Sequence, residues 1–272
     1  MNLNTVEAVR GAAAVAADGG WQPGDSWLAG GTWLFSEPQP NVRRLLDLRE
    51  FGWTPLEVGD DGLRIAATCT IAELYRFEAP PDWTAAPMIG ECCRAFLASF
   101  KIWNEATVGG NVCMSLPASP MTSLAASLDG RLTVRALDGS EREIPAVEFV
   151  LGPHQTLLGS GDLLTTIHLP TAALRSRAAF RRSSLTHLGR STALVIGLVP
   201  HGGGPLTLTV TASTPRPVQI VFPDLPDAGT LRDRINAEIP AGAWFDDVHG
   251  APDYRRHMTL HFAEQIRAEL AG

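Results

Sequence analysis

Two diglycine loops constrain this chain more than any other feature. Ala29-Gly30-Gly31-Thr32 follows the short apolar stretch Trp27-Leu28, and Thr107-Val108-Gly109-Gly110-Asn111 lies much further along. A glycine has no Cβ, so its backbone N–H can approach a ligand, or its backbone another segment, more closely than any other residue allows. Each loop also carries a hydroxyl beside the glycines, the arrangement that cradles a pyrophosphate. Singly, each reads as a turn in a chain with 26 glycines; paired, they point to a dinucleotide. Neither is G-x-G-x-x-G and no G-x-x-x-x-G-K-[ST] occurs. A Rossmann fingerprint and a P-loop are therefore absent, and a dinucleotide must be held in another way.

The chain's 272 residues, 45% hydrophobic and 19% charged, suit a globular protein large enough for two modest domains. With 29 acidic against 22 basic residues the net charge is −7, which leaves no basic stripe for a phosphate backbone and argues against nucleic acid. The longest apolar runs, Ala12 to Ala17 and Ala193 to Pro200, fall short of the roughly 20 residues of a membrane span. The opening Met1-Asn2-Leu3-Asn4-Thr5-Val6-Glu7 lacks the basic region and apolar core of a signal peptide, so a cytoplasmic chain is expected. Cys69, Cys92, Cys93 and Cys113 show no C-x-x-C spacing, and His257 and His261 stand at i, i+4 without a Glu-x-x-His. No metal centre is expected, and the thiols read as small buried hydrophobes.

Local signals divide the chain. Thr5 is placed to cap a helix to about Ala17, ended by Gly19-Gly20, and Trp27 to Ala29 and Arg44 to Leu48 read as short strands. Leu56 to Val58 and Leu63 to Ala66 flank a turn at Asp61-Gly62, and Thr70 with Glu73 has capping-box spacing. Ile89, Cys93, Phe96 and Phe100 give one helix an apolar face. Leu132 to Ala136 and Ile144 to Val150 form a second hairpin across Asp138-Gly139. Beyond Pro170, the stretches Ala178 to Ser184, Thr192 to Val199 and Leu206 to Ala212 predict an antiparallel meander. His201-Gly202-Gly203-Gly204 reads as a β-turn, and Arg181-Arg182 and Arg255-Arg256 as surface charge pairs. The last helix is expected to bury Tyr254, Met258, Phe262, Ile266 and Leu270.

Taken in order, these motifs resemble a known family over nearly the whole chain: the FAD-binding medium subunit of molybdenum hydroxylases of the xanthine dehydrogenase and carbon monoxide dehydrogenase type. The resemblance rests on Leu28-Ala29-Gly30-Gly31-Thr32, Thr70-Ile71-Ala72-Glu73-Leu74 and Asn104-Glu105-Ala106-Thr107-Val108-Gly109-Gly110-Asn111 with Pro117 and Leu128-Asp129. It continues through Phe149-Val150-Leu151-Gly152-Pro153, Thr156, Gly161-Asp162-Leu163-Leu164 and the tail from Asp247 to Met258. It implies an α+β chain: a two-subdomain FAD-binding fold of PCMH type over 1–55 and 56–170, then a C-terminal α+β domain over 171–272 with a three-stranded antiparallel sheet and helices. Ala29, Gly30, Gly31, Thr32, Trp33 and Leu34 with Thr107, Val108, Gly109, Gly110 and Asn111 would hold FAD, the backbone of Gly30, Gly31, Gly109 and Gly110 meeting the phosphates. No residue is expected to act as acid, base or nucleophile. The partners implied are an iron–sulfur small subunit with 2Fe-2S clusters and a large subunit with the molybdopterin cofactor, with NAD or another molecule as terminal acceptor.

Four positions depart from the family pattern, and each loses polarity: Trp33, Trp103 in place of Arg, Leu116 in place of a polar residue, and Pro120 in place of Asp. The two tryptophans either stack on flavin or adenine or pack in the core. Two readings therefore stand, an electron-transfer flavoprotein subunit and a flavin-poor structural subunit that retains the fold.

Overall fold

The computed structural model describes residues 4–12, 15 and 20–272. Three sheets of three or more strands follow one another along the chain. The first joins β1 (Ala8–Gly11), β2 (Asp25–Leu28) and β3 (Arg44–Asp47) in the order β1-β3-β2, with both pairings parallel. Over Ala8 to Gly11 the expected helix from Thr5 is overturned, since these residues pair with Arg44 to Asp47; Val15 is helical, and residues 13, 14 and 16–19 of that reading lie outside the described residues. A four-residue edge strand carries too little pattern of its own, and pairing with β3 overrides its helical propensity. Asp25 and Arg44 lock β2 to β3 through bonds of 2.8 and 2.6 Å, and the guanidinium holds the carboxyl below its usual range.

The second sheet, in the order β4-β5-β10-β6-β7, is antiparallel throughout: β4 (Leu56–Gly59), β5 (Gly62–Ala66), β6 (Arg131–Arg135), β7 (Glu141–Pro145) and β10 (Leu163–Pro170). The first hairpin forms as read, but its turn is Asp60-Asp61, with Gly62 already opening β5. The second hairpin closes at Pro145, because Ala146–Phe149 makes a helical turn rather than a longer strand. A small pair, β8 (Val150–Gly152) and β9 (Gln155–Thr156), follows.

Five helical segments lie between β5 and β6: α1 (Ile71–Tyr75), α2 (Pro87–Ala95), α3 (Phe100–Trp103), α4 (Val108–Cys113) and α5 (Pro120–Ser127). The capping box at α1 is formed in both directions, with Glu73 N donating to Thr70 Oγ1 at 3.2 Å and Thr70 N to Glu73 Oε2 at 2.8 Å. The apolar face of α2 ends earlier than its spacing suggests: the helix stops at Ala95, and Phe100, on the separate α3, is 73% exposed.

The C-terminal sheet has four strands rather than the expected three: β11 (Arg177–Ser183), β12 (Ala193–Val199), β13 (Leu206–Thr211) and β14 (Val218–Phe222). Pro217 and Pro223 bracket the added strand, whose Val, Ile and Phe content is a strand signal. Every residue of β12 is buried, which accounts for its unbroken apolar run. One face, with Leu194, Ile196 and Leu198, joins the core of the central helices; the other, with Val195 and Val199, packs with Phe262 and Ile266 of the closing helix Pro252–Ala271.

That closing helix buries Phe262, Ile266 and Leu270 as read, whereas Tyr254 is 40% exposed. Its inward residue in the first turns is Arg255, 1% exposed, which corrects the surface reading for Arg255, while Arg256 is exposed as read. The Arg255 guanidinium donates to the carbonyls of Thr192, Gly250 and Ala212 and pairs with Asp247. Burial pulls its pKa down, and Asp247 opposes that shift. Charge-assisted bonds to carbonyls of three segments make it a bolt between β12, the end of β13 and the helix entry. Replacing it by methionine strands Asp247 and those carbonyls, so Arg255→Met is expected to cost about 3 kcal/mol in urea unfolding; a loss below about 1 kcal/mol would contradict the bolt.

Candidate functional site

The segment that carries the second diglycine is stitched to the end of β5 by backbone bonds alone. Ile71 N donates to Ala106 O at 2.9 Å, Val108 N to Cys69 O at 2.8 Å and Gly109 N to Ala67 O at 3.0 Å, with Thr70 and Thr107 forming an antiparallel bridge. Gly109 lies flat on that neighbour: a Cβ there would stand 2.5 Å from the Ala67 Cβ and 2.7 Å from its Cα. The first diglycine closes on the same segment from the other side. A Cβ on Gly30 would meet the Glu105 carbonyl oxygen at 1.6 Å, so glycine is required for the two loops to touch.

A cavity of about 580 Å³ lies where they meet. The first loop contributes Ala29, Gly30, Gly31, Thr32, Trp33 and Leu34; the second contributes Thr107, Gly110 and Asn111. Val108 and Gly109 are buried beneath and do not line it. The two loops differ as hydrogen-bond donors. Among the described residues, the backbone N–H groups of Gly30, Gly31, Thr32, Trp33 and Leu34 meet no acceptor. In the second loop the donors are committed: Gly109 N to Ala67, Gly110 N to Thr107 Oγ1 at 3.0 Å, and Asn111 N to Thr107 O at 3.0 Å. The expectation of phosphate-facing N–H groups on Gly109 and Gly110 is corrected accordingly, because Thr107 caps α4 with its hydroxyl. Asn111 is half committed: its Oδ1 accepts from Ser119 Oγ at 2.6 Å and Met121 N at 3.1 Å.

The rest of the wall is apolar, with Phe96, Leu97, Ile102, Met114, Leu116 and Pro120. Of the two tryptophans in question only Trp33 lines the cavity, set between His154, with ring centroids 5.8 Å apart, and the Arg190 guanidinium 5.9 Å over its ring. Trp103 faces elsewhere: its indole N–H donates to Phe96 O at 2.9 Å and its ring meets Tyr75 edge-on. Trp103 is half-buried and packs against the central core.

Arg190 and Ser191, from the β11–β12 hairpin, also line the cavity, and local spacing gave no sign of them because they approach from a distant sheet. Arg190 is the one charged side chain among the described lining residues. Burial pushes the Cys113 thiol in the wall up to about 12, so it stays protonated at neutral pH and supplies no nucleophile. Among the described residues no three His, Cys, Asp or Glu side chains gather to hold a metal ion, and no helix is long and apolar enough to cross a membrane.

Two expected outcomes follow from this geometry. Gly30→Ala forces the loops apart and is expected to destabilise the chain by about 1–3 kcal/mol; an unchanged urea midpoint would mean that the contact is not needed. Trp103→Ala is expected to cost about 3 kcal/mol and Trp33→Ala far less, so equal losses in the same unfolding assay would contradict the division between core and cavity.

Residues 3–172 match the family described as the FAD binding domain in molybdopterin dehydrogenase. Xanthine dehydrogenase 1 of Arabidopsis thaliana is 30% identical over 127 residues, 42% of this chain and 9% of that protein, so the chain spans a small part of the plant enzyme's length. The nicotine 6-hydroxylase medium subunit of Paenarthrobacter nicotinovorans is 25% identical over 244 residues, 86% of this chain and 83% of that subunit. Among solved structures, quinoline 2-oxidoreductase from Pseudomonas putida 86 superposes with a TM-score of 0.79 at 18% identity, covering 99% of this chain and 98% of that one. The reconstituted CO dehydrogenase of Oligotropha carboxidovorans gives 0.79 at 22% identity, over 98% and 99%. These two likenesses speak for the fold, and the match over 3–172 speaks for the family: the chain belongs to the FAD-binding domains of molybdopterin dehydrogenases.

Proposed function

We propose that this chain is the FAD-binding electron-transfer subunit of a multisubunit molybdenum hydroxylase. It would receive electrons from 2Fe-2S clusters in a small partner subunit and deliver them to NAD or another terminal acceptor, while a large molybdopterin subunit oxidises the substrate. The observation that carries this reading is the cavity between the two glycine loops, within the size range of small-molecule and cofactor sites. The near full-length likeness to a nicotine 6-hydroxylase medium subunit supports a role as one chain of several. The three successive sheets support units over 1–55, 56–170 and 171–272, and a cytoplasmic location agrees with this role.

The residues present fit a dinucleotide. The N–H groups of Gly30 to Leu34, which meet no acceptor, and the left-handed turn at Gly31, φ 66°, suit a pyrophosphate. The apolar wall suits a flat ring system and excludes water from it. Thr32 offers a hydroxyl and Asn111 its amide N–H groups, while Gly110 leaves open the space a side chain would fill. When bound, FAD supplies the electron carrier; these residues bind, orient and shield it.

A second reading, a structural subunit with little flavin, draws on the apolar Leu116 and Pro120 in the cavity wall. The purified chain separates the two. A visible flavin spectrum with FAD released on denaturation is expected, and a colourless chain that does not take up added FAD would favour the structural role. Gly110→Val places its side chain into the cavity and costs at most about 1 kcal/mol at the Thr107 cap. FAD per folded chain is expected to fall at least tenfold in this variant; full occupancy would sink the assignment.

A further inference from the structure

We propose that His257 and His261, one turn apart on the exposed side of the closing helix Pro252–Ala271, chelate a divalent transition-metal ion of the Zn2+, Ni2+ or Cu2+ class. The site goes beyond the FAD reading, because neither histidine lines the cavity between the glycine loops.

On a helix, residues at i and i+4 stand one above the other, and two histidines so placed can share one metal. The structure sets the two imidazoles in that relation, with their planes 3° apart and their centroids 6.4 Å apart. Metal–nitrogen bonds of about 2 Å put two rings on one ion with centroids about 5 Å apart. Closure by about 1 Å is within the reach of small χ1 and χ2 rotations of two exposed side chains. His257 makes no hydrogen bond among the described residues that would oppose this.

His261 is held in the form that ligates. Gln265 Oε1 accepts from Arg181 Nε at 2.9 Å, which turns the amide N–H groups toward the ring, and Gln265 Nε2 lies 2.9 Å from His261 Nε2. In this network Nε2 is the acceptor and Nδ1 carries the proton, so the imidazole is neutral with a lone pair on Nε2, the state that binds metals. Coordination displaces one neutral hydrogen bond at an exposed position, where water replaces it for Gln265. The surrounding charges also favour a cation. Asp253, one turn before His257, is exposed and forms no ion pair among the described residues. The arginines on and against this face are engaged: Arg181 with Glu269 at 2.6 Å, Arg267 with Glu264 at 2.7 Å, and Arg256 with Asn236 of the helix Ala228–Glu238 at 3.0 Å. Met258 follows His257 where a hydrolytic zinc helix has glutamate, and no third His, Cys, Asp or Glu completes a cluster among the described residues. The pair is therefore a two-ligand clasp with water in the other positions, one that binds an ion and does not hydrolyse. It fastens two turns of a helix whose Phe262 and Ile266 pack on β12.

The test uses the full-length chain and the chlorides of Zn2+, Ni2+ and Cu2+, titrated by calorimetry at about pH 7.5, where an ordinary imidazole is neutral. One ion per chain is expected at this site, with Cu2+ bound most tightly and its EPR signal showing two nitrogen ligands. His257→Ala and His261→Ala are each expected to lower affinity about tenfold or more, and the double variant to bind little worse than either, because each ring gains its strength from the other. Alanine preserves the helix, so circular dichroism is expected to be unchanged in all three variants. Bound Zn2+ is expected to slow amide hydrogen exchange in the closing helix of the wild-type chain. Wild-type affinity in either single variant, metal uptake that persists in the double variant, or slowed exchange confined to other segments would overturn the proposal. FAD content is read separately and its loss leaves these outcomes untouched, so the two readings fail independently.

Discussion

The contact between Gly30 and the Glu105 carbonyl is the constraint from which the site follows. It is a meeting of backbone with backbone, and a single added carbon at Gly30 would lie 1.6 Å from that oxygen. The segment that presents Glu105 is itself held by backbone bonds to residues 67–71, which emerge from β5, and Ala67 N reaches on to Thr165 of β10. The N-terminal sheet is thereby registered against the five-stranded one through main chain, where position is fixed to tenths of an ångström and no rotamer intervenes. Trp27 reinforces the junction from the sheet side, its indole N–H shared between the Gly161 and Asp162 carbonyls.

This arrangement explains why two loops of like composition do different work. In the second, Gly109 serves packing against Ala67, and the donors close the first turn of α4 or the bridge to β5. In the first, a left-handed turn at Gly31 leaves a run of N–H groups without acceptors beside the cavity. A free N–H is costly if buried dry and useful if an anion or water meets it, so the first loop is the one suited to a ligand, while the second is its support.

Much of this was legible because it is encoded locally. The Thr70–Glu73 box depends on a spacing of three, the hairpins on alternation around short turns, and the diglycines on two adjacent residues. What escaped depends on distance in sequence. β1 is a strand only because β3 lies beside it, and Arg255 is buried only because carbonyls from Thr192 and Ala212 converge on it. Trp103 and Trp33 are the same residue type in similar apolar stretches of sequence, yet one packs against the core and donates to Phe96 O while the other stands at the cavity. The strand at Val218 to Phe222 is a different case: its signal lies between two prolines, but it is short and its edge position on the sheet is set by β13.

A cavity with one cation and a largely apolar wall has chemical consequences of its own. An arginine offers only hydrogen-bond donors, and the half-buried Cys113 thiol, pushed up to about 12, keeps its proton. The guanidinium lies by Trp33, and Leu97, Ile102 and Leu116 bring no charge to the wall. The cavity is assembled by segments attached to three sheets, since Trp33 follows β2, Ile102 and Leu116 lie in the segment between β5 and β6, and Arg190 stands on the β11–β12 hairpin.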